Sequence, residues 1–287
     1  MAATAGAMSD DITNVTLTKR AANCADFAQS STARATDVQR GIEFQGTLDI
    51  AVRGDKCVIS SNAIPNHDFN ATGRFATEVA EQAQAYTITT APKAAARPTA
   101  LSLTYDNAVF LNGVKLDQLA AGCFGVGDGI IGCWDMNAPY RYDPLGKAGK
   151  FGTDEHNAHT QPDGTYHYHG NPLALFVQDH AHDPSPVIGF AADGFPIFGS
   201  YIADGGQVRK ARSSYQLKSG TRPGGPGGVY DGTFIDDWVY VAGSGDLDAC
   251  NGMMQDGIYG YVVTDSYPHV LGCFTGTPDP SFRKRRP

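Results

Sequence analysis

Gly164-Thr165-Tyr166-His167-Tyr168-His169-Gly170 alternates two histidines with two tyrosines between glycines. On a β-strand successive side chains leave opposite faces, so His167 and His169 share one face and Tyr166 and Tyr168 the other. Two imidazoles about 6 to 7 Å apart along a strand face can converge on one ion, and neutral imidazole is the commonest protein ligand for zinc, copper, iron and nickel. The competing reading is a polar strand whose histidines bond to solvent or to neighbouring carbonyls.

The residues just upstream favour the ion. Asp154-Glu155-His156-Asn157-Ala158-His159-Thr160-Gln161-Pro162-Asp163 is a loop dense in potential ligands, and Pro162-Asp163-Gly164 is a turn signal. A reversal there brings His159 beside His167 and His169. Three protein ligands with an open fourth position are the usual arrangement of a catalytic zinc site. Asp154 and Glu155 are candidate general acids or bases. Asp193, in Ala192-Asp193-Gly194-Phe195-Pro196, either ligates or orients the ion or caps its own turn. His67 either lines the site or is structural. Asp246 and Asp248 read as turn caps, and His269 as a strand-end residue.

The same residues carry a family resemblance. The block Asp154 to Gly170 resembles the signature of the bacterial YHYH-domain proteins. Ile64-Pro65-Asn66-His67, Leu111-Asn112-Gly113-Val114, Ile188-Gly189-Phe190-Ala191, Asp193-Gly194-Phe195-Pro196-Ile197, Leu247 to Gly252, Tyr267-Pro268 and Gly272-Cys273-Phe274 agree with it, so that the likeness runs from about Cys57 to Gly276. Phe198 stands where that family would have Tyr, and His156, His180 and His182 are peculiar to this chain. The family is named for its motif rather than for an activity. The resemblance implies a secreted or periplasmic protein and leaves the reaction open.

The elements that must position these residues read as mainly β, a sandwich or distorted barrel with long Gly/Pro-rich loops and a few short helices. Alternating runs such as Gly46 to Val52, Tyr86 to Thr89, Trp238 to Val241 and Tyr259 to Thr264 are bounded by turn formers, and 34 glycines and 16 prolines are spread throughout. Short helices or turns are expected over Thr32 to Gly41, Asn112 to Leu119 and Pro172 to Phe176. The domain expectation is a disordered leader over 1–11, one YHYH-like domain over 12–278 and a basic tail over 279–287. Six cysteines without Cys-x-x-Cys exclude zinc-ribbon and thioredoxin-like readings and point to disulfides. Nearest-neighbour closure pairs Cys24 with Cys57, Cys123 with Cys133 and Cys250 with Cys273. Periplasmic or extracellular placement follows from the disulfides, although Met1 to Asp10 lacks the apolar core of a signal peptide.

A net charge of −8 argues against a nucleic-acid partner, and no apolar run is long enough to span a membrane. Nucleophile-elbow, His-Glu-x-x-His, Walker and dinucleotide signatures are missing. Two metal-based readings remain, with a metal-free third. In the first, a divalent ion on His159, His167 and His169 activates water against an ester, amide or phosphoester of a small-molecule or polymer substrate, with Asp154, Glu155, Asp193 or His67 assisting. In the second, the ion is copper, bound, delivered or used for redox chemistry in the cell envelope. In the third, a metal-free carbohydrate or adhesion domain uses Tyr166, Tyr168 and Trp134 as stacking platforms.

Overall fold

The computed structural model describes residues 9–284. In chain order its strands are β1 (Asp10–Asp11), β2 (Gln29–Asp37), β3 (Ile42–Arg53), β4 (Lys56–Ser61), β5 (Gln84–Thr89), β6 (Thr99–Ala100), β7 (Ala108–Phe110), β8 (Lys115–Leu116), β9 (Ala158–Thr160), β10 (Tyr166–Tyr168), β11 (Val187–Ala191), β12 (Pro196–Phe198), β13 (Tyr201–Asp204), β14 (Gln207–Lys210), β15 (Tyr215–Leu217), β16 (Trp238–Tyr240), β17 (Gly252–Gln255), β18 (Ile258–Val262) and β19 (Cys273–Phe274). Strand makes up 33% of the structure and helix 4%, so the protein is mainly β as its sequence pattern predicts.

Strands β2 to β5 form an antiparallel meander, and β1 adds to it parallel to β2. Strands β2 to β5 are buried on alternate residues: Gly46, Leu48 and Ile50 of β3 and Cys57, Ile59 and Ser61 of β4 face inward. The second sheet has the order β17-β18-β12-β11-β7-β8-β10-β9. Its strands β7, β10, β11 and β12 are buried at every residue, and the largely apolar content of β7, β11 and β12 matches covering on both faces. One hydrophobic cluster takes Leu48, Ile50, Ile59 and Ile88 from the first sheet and Phe110, Phe190, Ile197 and Tyr261 from the second. The two sheets therefore share a core as in a sandwich, and none of the sheets closes into a barrel.

Of the three stretches expected as short helices or turns, one departs from that expectation over most of its length. Thr32 to Gly41 is the second half of β2 followed by a turn, because Ser31, Ala33, Ala35 and Asp37 bury with period two, and pairing with β3 overrides the helical preference of Ala and Arg. The other two stretches take the turn alternative: Asn112 to Leu119 opens with a turn at Asn112-Gly113 that leads into β8, and Pro172 to Phe176 is a turn. The helical segments among the described residues are single 3-10 turns, Cys24–Phe27, Ile235–Asp237 and Pro280–Phe282.

Both ends are more structured than the composition suggests. Asp10 and Asp11 pair with Ser31 and Thr32; residues 1–8 of the expected leader lie outside the described residues. The stretch read as a basic tail packs on the fold through residue 284. Phe282 is fully buried and stacks on Tyr86 with ring centroids 4.5 Å apart, and Lys284 N donates to Thr104 O at 2.9 Å. An aromatic anchor thus holds a segment whose charges alone read as solvated; residues 285–287 lie outside the described range.

The three disulfides pair Cys24–Cys57, Cys123–Cys133 and Cys250–Cys273, as nearest-neighbour closure predicts, and no cysteine among the described residues is free. Peptide mapping of the protein without reductant should recover these three linked pairs. Two or more free thiols would contradict this pairing. Among the described residues no helix is long and apolar enough to cross a membrane.

Candidate metal centre

The site is built on the β9–β10 hairpin. Its turn closes through Gln161 N to Thr165 O and Gly164 N to Gln161 O, both 2.9 Å, and Asp163 Oδ1 accepts from Thr165 N at 3.0 Å. Gly164 sits at φ +84°, where a Cβ would also lie 2.7 Å from the Ala80 side chain, so glycine is required twice over. The resulting register places His167 directly opposite His159. On the other side of β10, β8 runs parallel with Leu116 opposite Tyr168, and Asp117 N donates to Tyr168 O at 2.9 Å. Asp117 and Gln118 are thereby fixed beside His169.

The three imidazoles converge. His169 Nε2 lies 2.9 Å from His159 Nε2 and 3.2 Å from His167 Nε2. Each opposite ring nitrogen faces a backbone carbonyl: His159 Nδ1 that of Phe151 at 2.5 Å, His167 Nδ1 that of Thr165 at 3.3 Å and His169 Nδ1 that of Gln118 at 3.5 Å. A carbonyl only accepts, so Nδ1 donates in each ring and the three Nε2 lone pairs point at one another. One Nε2 carries at most one proton, so His169 cannot hydrogen-bond to both neighbours through it. Carbonyl-oriented imidazoles with inward lone pairs are the arrangement that metal-binding histidines adopt. Burial keeps the rings neutral. It pushes His169 down to about 3 and holds His159 and His167 below their ordinary value.

The tyrosine face of β10 is the interior. Tyr166 and Tyr168 are fully buried, which removes them as carbohydrate-stacking platforms, while Trp134 is 62% exposed. Tyr168 donates to His67 Nε2 at 2.6 Å and accepts from Asn112 Nδ2 at 3.0 Å; His67 Nδ1 donates to Asp68 O. Tyr166 donates to Asp154 Oδ2 at 3.0 Å. Tyr168→Phe should leave His67 and Asn112 short of a buried partner and cost roughly 1 to 3 kcal/mol, read from denaturant unfolding, with metal affinity unchanged. Loss of metal binding in this variant would place the phenol in the ion site.

The residues expected to assist chemistry are engaged elsewhere. Asp154 is buried on the tyrosine side and accepts from Tyr166 and from the amides of Asn70, His156 and Ala158. It ties the ligand loop together, and burial raises its carboxyl above the usual range. Glu155 accepts from Ala71 N. Asp193, in the β11–β12 turn, accepts from Tyr261 Oη of β18 and from Gly276 N. His67 belongs to the Tyr168 network. None of the four hydrogen-bonds to the histidine triad. For Asp154 and His67 the reason is parity: a residue that bonds to Tyr166 or Tyr168 is on the side of β10 opposite His167.

What the sequence reading missed is on the histidine side. Gln161 Nε2 donates to Asp117 Oδ2 at 2.7 Å, and buried Lys115 bridges Gln161 Oε1 at 3.1 Å and Asp106 Oδ1 at 3.0 Å. The alternation Lys115-Leu116-Asp117 was the available signal, but a two-residue ladder is too short to announce itself as a strand.

A family model described as YHYH protein matches residues 85–276. The chain belongs to the YHYH family. The matched range holds all three histidines of the YHYH site, Asp117 and the Cys123–Cys133 and Cys250–Cys273 bridges. The Ile64 to His67 block, the Cys24–Cys57 bridge and the segment carrying Lys284 lie outside it. Comparison with curated proteins and with solved structures gave no match.

Proposed function

We propose that this YHYH protein is an exported metalloprotein that holds a divalent transition metal, zinc or copper, on the Nε2 atoms of His159, His167 and His169, and that it is a metal-dependent hydrolase. The observation that carries the reading is the convergence of three lone pairs within 4.8 Å while each Nδ1 is spoken for by a carbonyl. Three neutral nitrogens suit zinc or copper better than magnesium or calcium, which prefer oxygen. An ion held by three ligands supplies Lewis-acid activation at its remaining position. The chain's own part is to fix the tautomers, keep the rings unprotonated and exclude bulk water, His167 and His169 being 2% and 3% exposed. Export agrees with the three disulfides, which persist in oxidising compartments.

Elemental analysis of protein purified without chelators or metal-affinity columns should give near one equivalent of zinc or copper. Zinc-loaded protein should then hydrolyse 4-nitrophenyl acetate or bis(4-nitrophenyl) phosphate, lose the activity to chelator and regain it with zinc. One equivalent of copper that cycles between oxidation states without hydrolysis supports the redox reading instead. Substoichiometric metal of every kind contradicts both.

A further inference from the structure

The histidine triad borders a buried charge cluster that its chemistry does not use. Asp106 and Asp117 are 5% exposed, and Lys115 is sealed between Asp106 and Gln161. The fourth member comes from far along the chain. Lys284 Nζ lies 2.5 Å from Asp117 Oδ2 and 3.9 Å from Asp106 Oδ1, at the end of the segment that Phe282 anchors. Among the described residues two carboxylates face two ammonium groups, so these four charges balance.

Its position couples it to the histidines. Asp117 is held by the β8–β10 ladder next to His169, and its carboxylate is bound by Gln161, two residues beyond His159. The charges of Asp117 and Lys284 both reach His169.

We propose that residues 280–284 form a strap whose Lys284 ammonium is a tethered cation antagonistic to the ion of the histidine triad, so that metal binding and strap docking weaken each other. This rests on the metal reading given above. A dication added beside a neutral cluster leaves two positive charges in a volume where burial limits screening. The cluster can relieve this only by losing a cation. Lys115 has a side chain 6% exposed and two fixed partners, whereas the Lys284 side chain is 23% exposed. Lys284 is therefore the group that gives way. By linkage the effect is reciprocal: removing the ammonium leaves Asp117 less neutralised and tightens the ion.

The test compares zinc titrations of the full chain and two variants by calorimetry. Lys284→Met keeps the unbranched apolar stem and should bind zinc at least about fivefold more tightly, the lower end of ordinary coupling. Lys284→Arg should restore wild-type affinity. In wild-type protein, zinc should speed hydrogen exchange at the Lys284 and Arg283 amides, which bond to Thr104 O and Pro280 O. That arm needs no substitution, so a variant that fails to fold does not stop the test. Equal zinc affinity in wild type and Lys284→Met, or exchange at the strap unchanged by zinc, overturns the antagonism while leaving the metal site standing. A wild-type protein that takes up neither zinc nor copper removes the site itself and the antagonism with it.

Discussion

His167→Ala and His169→Ala should each remain folded and lose at least about a hundredfold in zinc or copper affinity, beyond the roughly 10- to 100-fold lost when a hydrogen-bond partner of a ligand is replaced. Two remaining imidazoles leave the ion short of the donors it needs, and no carboxylate hydrogen-bonds into the triad to substitute. The fold should survive because the shared hydrophobic cluster contains neither histidine and draws on both sheets. His159→Ala belongs to the same class, since His159 faces His167 across the hairpin. Tyr166→Phe is the control: its phenol bonds to Asp154 on the other side of β10, so metal binding should persist. Metal titration monitored with circular dichroism decides the matter. Normal affinity in both His167→Ala and His169→Ala would show that the alternating motif is structural.

The second large effect is on acid stability of the metal-free protein. His67 and His169 are pushed down to about 3, and His159 and His167 are also lowered, in every case chiefly by burial. In the unfolded chain these rings titrate near 6.5. Between the two values the unfolded state binds more protons, so stability is present above about pH 6.5 and is lost as pH falls toward the folded values. Each histidine contributes a slope of about 1.4 kcal/mol per pH unit once pH is well below 6.5. Asp106, Asp154 and Asp193, raised by burial, act in the opposite sense and offset part of the histidine slope; the four histidines begin to act between about pH 6.5 and 5. Urea unfolding free energies should fall steeply across that window, and bound zinc should flatten the fall. Stability independent of pH between 7 and 5 would mean that these rings are not held neutral.

The imidazole side of the site was legible because its signals are local. Alternation in Tyr166 to His169 sets the faces, and Pro162-Asp163-Gly164 sets the reversal that delivers His159. The disulfides were legible for a similar reason, each bridge closing between neighbours in the cysteine order. The assisting residues were not, because their places depend on pairings distant in sequence. Tyr168 meets Leu116 and His67, and Asp193 meets Tyr261, through contacts that no local pattern announces. Asp154 and Glu155 lie close to the ligands in sequence but are turned to the tyrosine side or to Ala71. The C-terminal segment shows a related limit. Four basic residues read as a solvated tail, but Phe282 just before them anchors the chain and carries Lys284 to Asp117. The short helix or turn expected over Thr32 to Gly41 is strand as far as Asp37, because alternate burial against β3 outweighs residue preference.

Anomalous diffraction at the zinc and copper edges, from crystals of protein purified without chelators, tests the central claim most directly. The structure predicts one strong peak between His159, His167 and His169, with three Nε2 atoms at about 2.0 to 2.1 Å if the ion is zinc. A peak away from these rings, or none in protein incubated with either metal, would contradict it.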